Sequence, residues 1–377
     1  MPFTNVYTPF TESRPGQAFV WGSAGTSGKS GTPAILKEVK KLIQERDIEG
    51  AKSVLLKAVE DEPENGSFLL VISKLQTLTK DYDNAFVFAQ RASKADPLNA
   101  KALIQQASIK LKQEQYTDAL EIIKASLALD PSSLKSFHIQ QRLYGKINDY
   151  ANLVSSCDAC LNLYPFDSRS YINKSSAFTK QGQDQEAVIL LNTAVQMVPK
   201  SSPLYAQLGD IYFSQGQFSK AIASLQESLI DQKSSRPTIY IKLAKCYLEL
   251  ADYSQCRDTL KGFDSALKTV KRKSLAKKIE SKYQFTKDFI YACSLKENPS
   301  PDPYNVAILA ILRRMLIDEK TLHGVLTQEL TSAAVNDLAP ERAEELVKAA
   351  IPLFESKSGS DDDTSSSGVN DDDFEML

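Results

Sequence analysis

Apolar residues recur at helical spacing along most of the chain, and one set of marks repeats with a fixed period. Pro63, Pro97, Pro131, Pro165 and Pro199 stand 34 residues apart. Twelve residues before each proline comes Ala51, Ala85, Ala119, Leu153 or Ala187, and the count continues to Ala221 and, one residue late, to Cys256. Three residues before that position an aromatic recurs at Tyr82, Tyr116, Tyr150, Phe218 and Tyr253, with Ile48 and Asp184 as exceptions. Five residues before each proline lie Ala58, Ala92, Ser126, Cys160 and Ala194. Such a unit is long enough for two antiparallel helices. Small residues let the helices approach closely, the aromatic fills the gap by the turn, and proline ends the second helix because it lacks an N–H and clashes with the preceding turn. The pattern predicts an all-α chain of stacked helix hairpins.

The segment Tyr205-Ala-Gln-Leu-Gly-Asp-Ile-Tyr212, with Gly216, Phe218 and Ala221-Ile-Ala-Ser-Leu225 behind it, resembles the tetratricopeptide repeat at its Leu, Gly, Tyr and Ala positions. Seven such repeats fit between residues 33 and 270, and the resemblance implies a right-handed α-solenoid. The first repeat lacks the aromatic, and the fourth carries Gln141 and Leu153 where small residues are usual, so both are expected to pack less regularly.

Outside the repeats the patterning changes. Residues 1–32 are rich in Pro, Gly, Ser and Thr and predict a flexible arm. Residues 271–356 keep helical spacing without the period: a basic amphipathic stretch from Asp264 to Lys296, a break at Pro299, Pro301 and Pro303, then apolar periodicity over Asn305 to Ala334 and Pro340 to Phe354. This helical extension is expected to cap the open end of the solenoid. Residues 357–377 turn to Ser, Gly and Asp and predict a disordered acidic tail.

Composition narrows the function classes. Of 377 residues 42% are hydrophobic, and 45 Lys plus Arg against 47 Asp plus Glu leave no global field that commits the chain to nucleic acid or membrane. The longest apolar run, Val306 to Leu312, is too short to cross a bilayer, and no signal-peptide core is evident, so no membrane insertion is expected. Five cysteines argue for a reducing compartment, cytoplasmic or nuclear. Gly22 to Ser30 looks like a phosphate-binding loop, but five residues instead of four separate Gly22 from Gly28-Lys29-Ser30, and no strand precedes it. Cys157 and Cys160 have the spacing of half a zinc site, yet they fall where sibling repeats carry Ala or Leu and read as core. His138 and His323 are the two histidines, and neither lies in a nucleophile motif. No enzyme activity, cofactor or metal is expected from the sequence.

In the resembled family the first helix of each repeat lines a concave groove. The corresponding places in repeats three to five hold Lys101, Lys112, Lys135, His138, Arg142, Lys146, Arg169 and Lys180, and no acidic residue. That set implies a protein partner with an acidic or helical segment. The carboxylate-clamp pattern of chaperone-binding members is not matched; a shifted frame recovers only Asn173. The leading expectation is a non-catalytic scaffold or adaptor within a larger complex. The alternative is a co-chaperone-like or nucleic-acid-associated factor using the groove and the basic run Lys268, Lys271, Arg272, Lys273, Lys277 and Lys278. The acidic tail is of the sign that the groove would attract.

Overall fold

A computed structural model describes residues 32–45, 47–230, 236–270, 273–298, 300–318 and 338–357. The expectations for the N-terminal arm, the Gly22 to Ser30 segment, Lys271, Arg272, His323 and the acidic tail lie outside the described residues. Among the described residues there are helices and no strand.

The helices fall into two compact units, one ending at Pro131 and the other beginning at Ser132. The first unit holds three hairpins: α1 (Thr32–Gln44) with α2 (Ile48–Asp61), α3 (Gly66–Leu78) with α4 (Tyr82–Ala95), and α5 (Ala100–Lys112) with α6 (Tyr116–Leu129). The second holds four more: α7 (Leu134–Lys146) with α8 (Tyr150–Leu163), α9 (Ser168–Lys180) with α10 (Asp184–Met197), α11 (Ser202–Ser214) with α12 (Phe218–Glu227), and α13 (Pro237–Glu249) with α14 (Tyr253–Thr269). It continues into α15 (Lys273–Ser294), α16 (Asp302–Asp318) and α17 (Pro340–Lys357). Within each unit a helix packs on its hairpin partner and on the next hairpin, the arrangement of the tetratricopeptide solenoid.

The period is written into the backbone. Lys80, Glu114, Asn148, Gly182 and Gly216 share a left-handed conformation in the turn between paired helices, 34 residues apart, and Ala251 follows one residue late. The slip lies between Phe218 and Pro237, where α12 stops at Glu227, ten residues long against fourteen in α10. Caps repeat as well: Asn65, Asn99, Ser133 and Asp167 each accept a backbone N–H of the helix they open.

The small positions of the repeat are the helix contacts. Ala51, Ala85, Ala119, Ala187, Ala221 and Cys256 are fully buried. A Cβ on Gly209 would meet Leu225 Cγ at 2.7 Å, so α11 and α12 approach at a distance only glycine permits. In the fourth repeat Gln141 and Leu153 are both buried, yet α7 and α8, like α1 and α2 of the first repeat, touch each other less extensively than the paired helices of the other repeats, as expected for both. The Gln141 amide bonds to α9 instead of lying exposed, giving a hydrogen bond to Ser170 Oγ at 2.9 Å and accepting one from Asn173 Nδ2 at 2.9 Å.

The stretch Asp264 to Lys296 is not one element: α14 ends where Val270 turns extended, and the basic run straddles that break. Beyond it, Phe285, Phe289, Tyr304, Ile308, Leu312, Val347 and Ile351 of α15, α16 and α17 form one core, while Ile290 packs with Ile241, Leu260 and Phe263 of the last hairpin. The extension therefore covers the apolar end of the seventh repeat.

Candidate functional site

In the second unit α7, α9, α11 and α13 pack side by side, which makes the first helices of its hairpins a continuous layer. Six of the eight groove residues expected from the sequence sit on two adjacent members of that layer: Lys135, His138, Arg142 and Lys146 on α7, Arg169 and Lys180 on α9. Lys135, Lys146, Arg169 and Lys180 are exposed, and His138 and Arg142 half-buried. Lys101 and Lys112 lie on α5 of the first unit.

His138 is engaged on both ring nitrogens. Its Nε2 lies 3.0 Å from Asp167 Oδ2, and its Nδ1 lies 3.4 Å from Arg169 Nη1. A guanidinium only donates, so Nδ1 is the acceptor and Nε2–H donates to the carboxylate. Asp167 also caps α9, accepting the Ser170 N–H at 2.9 Å. Burial raises the Asp167 carboxyl, but the hydrogen bonds from His138 and Ser170 outweigh it and hold the group below the usual carboxylate range. The Sγ of Cys160 stands 4.0 Å from the same carboxylate oxygen. His138, Cys160 and Asp167 thus present three potential ligand atoms within 4.8 Å of one another.

Sequence reasoning missed Asp167 because the groove positions stop short of it. The signal was the cap register, in which Asn65, Asn99 and Ser133 precede it at 34-residue intervals. Cys157 is fully buried on α8 in a core position, and burial pushes its thiol up. Cys246 and Cys293 are pushed up to about 12 and Cys256 to about 11, burial being the main cause in each. All five cysteines are unpaired and buried, which leaves no low-pKa thiol for nucleophilic chemistry among them.

Further cations of the same layer pair locally. Lys174 meets Asp158 at 2.5 Å, and Lys242 of α13 meets Asp210 of α11 at 2.6 Å. Near the C-terminal end, a cavity of roughly 470 Å³ between α13, α14, α15 and α17 is lined by Leu248, Phe289 and Ile351. Lys245 faces Glu355 at 3.8 Å and Lys296 faces Glu344 at 2.7 Å beside it. Lys268, Lys273, Lys277 and Lys278 of the basic run are exposed. Among the described residues no helix is long and apolar enough to cross a membrane.

Comparison with known proteins identifies the fold. The family model described as anaphase-promoting complex, cyclosome, subunit 3 matches residues 180–263. A tetratricopeptide repeat protein from Parabacteroides merdae superposes with a TM-score of 0.51 at 16% identity, covering 70% of this chain and 98% of that one. The anaphase-promoting complex hetero-tetramer Cut9-Hcn1 gives a TM-score of 0.48 at 13% identity, covering 85% of this chain and 56% of the other. The thermophilic tetratricopeptide protein TTC0263 from Thermus thermophilus gives 0.40 at 18% identity, covering 48% of this chain and 99% of that one. No curated protein matches by sequence.

Proposed function

We propose that this chain of tetratricopeptide hairpins is a non-catalytic scaffold or adaptor, a subunit or assembly factor of a larger complex, that holds an acidic or helical segment of a protein partner. One observation carries the reading: Lys135, Arg142, Lys146, Arg169 and Lys180 share two neighbouring inner helices of one unit. A row of cations on a fixed helical layer suits an acidic strand or helix, because the helix backbones present the side chains at set intervals and their charge steers a segment of opposite sign. The match of residues 180–263 to a subunit family of a large assembly supports the view that such a layer serves assembly. Five buried, unpaired thiols fit a reducing compartment, cytoplasmic or nuclear.

The test is fluorescence anisotropy with an Asp/Glu-rich peptide, and with a duplex oligonucleotide of equal charge as the competing ligand. Reversing Lys135, Arg142 and Arg169 to Glu is expected to weaken peptide binding by about tenfold or more, since each desolvated charge pair is worth about 1 kcal/mol or above. The melting temperature should stay close to that of the unaltered chain. Peptide binding that survives the reversal sinks the groove reading, and tighter retention of the oligonucleotide than of the peptide would favour the nucleic-acid alternative.

A further inference from the structure

We propose that His138, Cys160 and Asp167 form a binding site for a zinc-class divalent ion at the fourth hairpin. Three observations meet there. The first is geometric. Tetrahedral zinc with one nitrogen, one oxygen and one sulfur ligand sets those atoms about 3.4 to 3.6 Å apart, from bond lengths of about 2.0 to 2.3 Å. Here Nε2 and Oδ2 are 3.0 Å apart, Sγ and Oδ2 4.0 Å, and all three lie within 4.8 Å. Movements of about 1 Å or less at each side chain would complete the three-ligand face.

The second is the register. At the place of His138 four sibling repeats carry Leu70, Ile104, Ile172 and Ala206; at that of Cys160 four carry Ala58, Ala92, Ser126 and Ala194; at that of Asp167 stand Asn65, Asn99, Ser133 and Ser201, the first three of which cap their helices. Those siblings pack without any metal ligand, and Asn65, Asn99 and Ser133 cap without a carboxylate. In the fourth repeat three positions, far apart in the unit, depart together to a nitrogen, a sulfur and a carboxylate, and the fold brings the three departures to one point. The third is access. Cys160 is fully buried at the base, while the side chains of His138 and Asp167 keep 17% and 12% of their surface open. A mixed nitrogen, oxygen and thiolate set suits zinc better than magnesium or calcium, and water or a partner's carboxylate from the groove supplies the fourth position.

The proton balance is explicit. The Cys160 thiol loses its proton to solvent as the metal–sulfur bond forms. The imidazole stays neutral: Nε2 gives up its proton to bind the ion and Nδ1 takes one. Arg169 must then leave Nδ1, because two donors would face each other, and its exposed side chain has room to do so.

The experiment uses the full reduced chain with Zn²⁺ in calorimetry and Co²⁺ in absorption spectroscopy. One ion per chain, with a thiolate-to-cobalt charge-transfer band, is the expected result. Cys160→Ala and His138→Ile restore sibling residues and so preserve the packing; each should remove the band and weaken Zn²⁺ binding at least about 100-fold, beyond the 10- to 100-fold typical of losing a group that only supports a ligand. Asp167→Asn keeps the cap and should weaken binding too. Cys157→Ala, with Ala89 as its sibling, should change nothing, and Arg169→Ala should tighten binding. Absence of the band in the unaltered chain overturns the site, as does Zn²⁺ binding that Cys160→Ala and His138→Ile leave intact.

Discussion

At the scale of single residues, stability is set where the chain tolerates no extra atom. Gly209 is such a place, since an added methyl would lie 2.7 and 2.8 Å from Leu225 Cγ and Cδ2, and Leu225 is itself fully buried. Gly209→Ala is expected to destabilise by about 1 to 3 kcal/mol, the usual cost of overpacking. Gly66 is the control. It opens α3, and its added Cβ would come no closer than 3.8 Å to Ala92 O, so Gly66→Ala should be neutral or stabilise by up to about 1 kcal/mol through the unfolded chain. Thermal unfolding of the two variants side by side checks the pair; equal shifts would mean that the α11–α12 contact is looser than described. The sequence already marked Gly209 by its place in the repeat. It could not mark the partnership of His138 with Asp167, because that depends on which side of the α8–α9 turn the cap falls in space, and a linear register carries no such information.

At the scale of the element, the hairpin turn explains what the period alone does not. Six of the turns between paired helices each hold one left-handed residue, and the chain supplies glycine at Gly182 and Gly216 but Lys80, Glu114, Asn148 and Ala251 at the other four. A side chain in that region costs about 1 to 2 kcal/mol against right-handed backbone, a cost that glycine avoids. Ala251→Gly and Glu114→Gly are therefore each expected to stabilise by about 0.5 to 1 kcal/mol, once the larger freedom of glycine in the unfolded chain is deducted. Chemical denaturation midpoints measure this, and a lowered midpoint would show that the turn is held by contacts the substitution removes. The helix pairs were legible from prolines and small residues because both act through local sterics. The break after Val270 was not, since no proline or glycine stands there and the basic amphipathic pattern runs across it unchanged.

At the scale of the whole molecule, a stack of hairpins leaves an apolar end, and α15, α16 and α17 close that of the second unit. Their fastening combines an aromatic pair, Phe285 with Phe354 at 4.5 Å between ring centres, with a polar cluster around Glu344. Lys296 Nζ lies 2.7 Å from Glu344, and the Tyr304 hydroxyl donates to the same carboxylate. Burial raises the Glu344 carboxyl, but the hydrogen bonds from Lys296 and Tyr304 outweigh it, so the native group titrates below its usual range. The sign follows from linkage. A carboxyl whose folded value is depressed adds stability that is fully present above its unfolded value, about 4.3, and is lost as pH falls through the native value. The closure by α17 should accordingly hold at neutral pH and loosen below about pH 4. Glu344→Gln removes the charge while keeping an acceptor for Tyr304; it is expected to cost about 1 kcal/mol at pH 7, a small figure because Lys296 is partly exposed and water screens the pair. As pH falls through the depressed native value of Glu344 the difference from the unaltered chain should shrink toward zero, since protonation then removes the same charge. Melting temperatures of both chains from pH 7 down to pH 3 measure this. Curves that stay parallel across that range would show that the carboxylate at position 344 contributes through its shape alone.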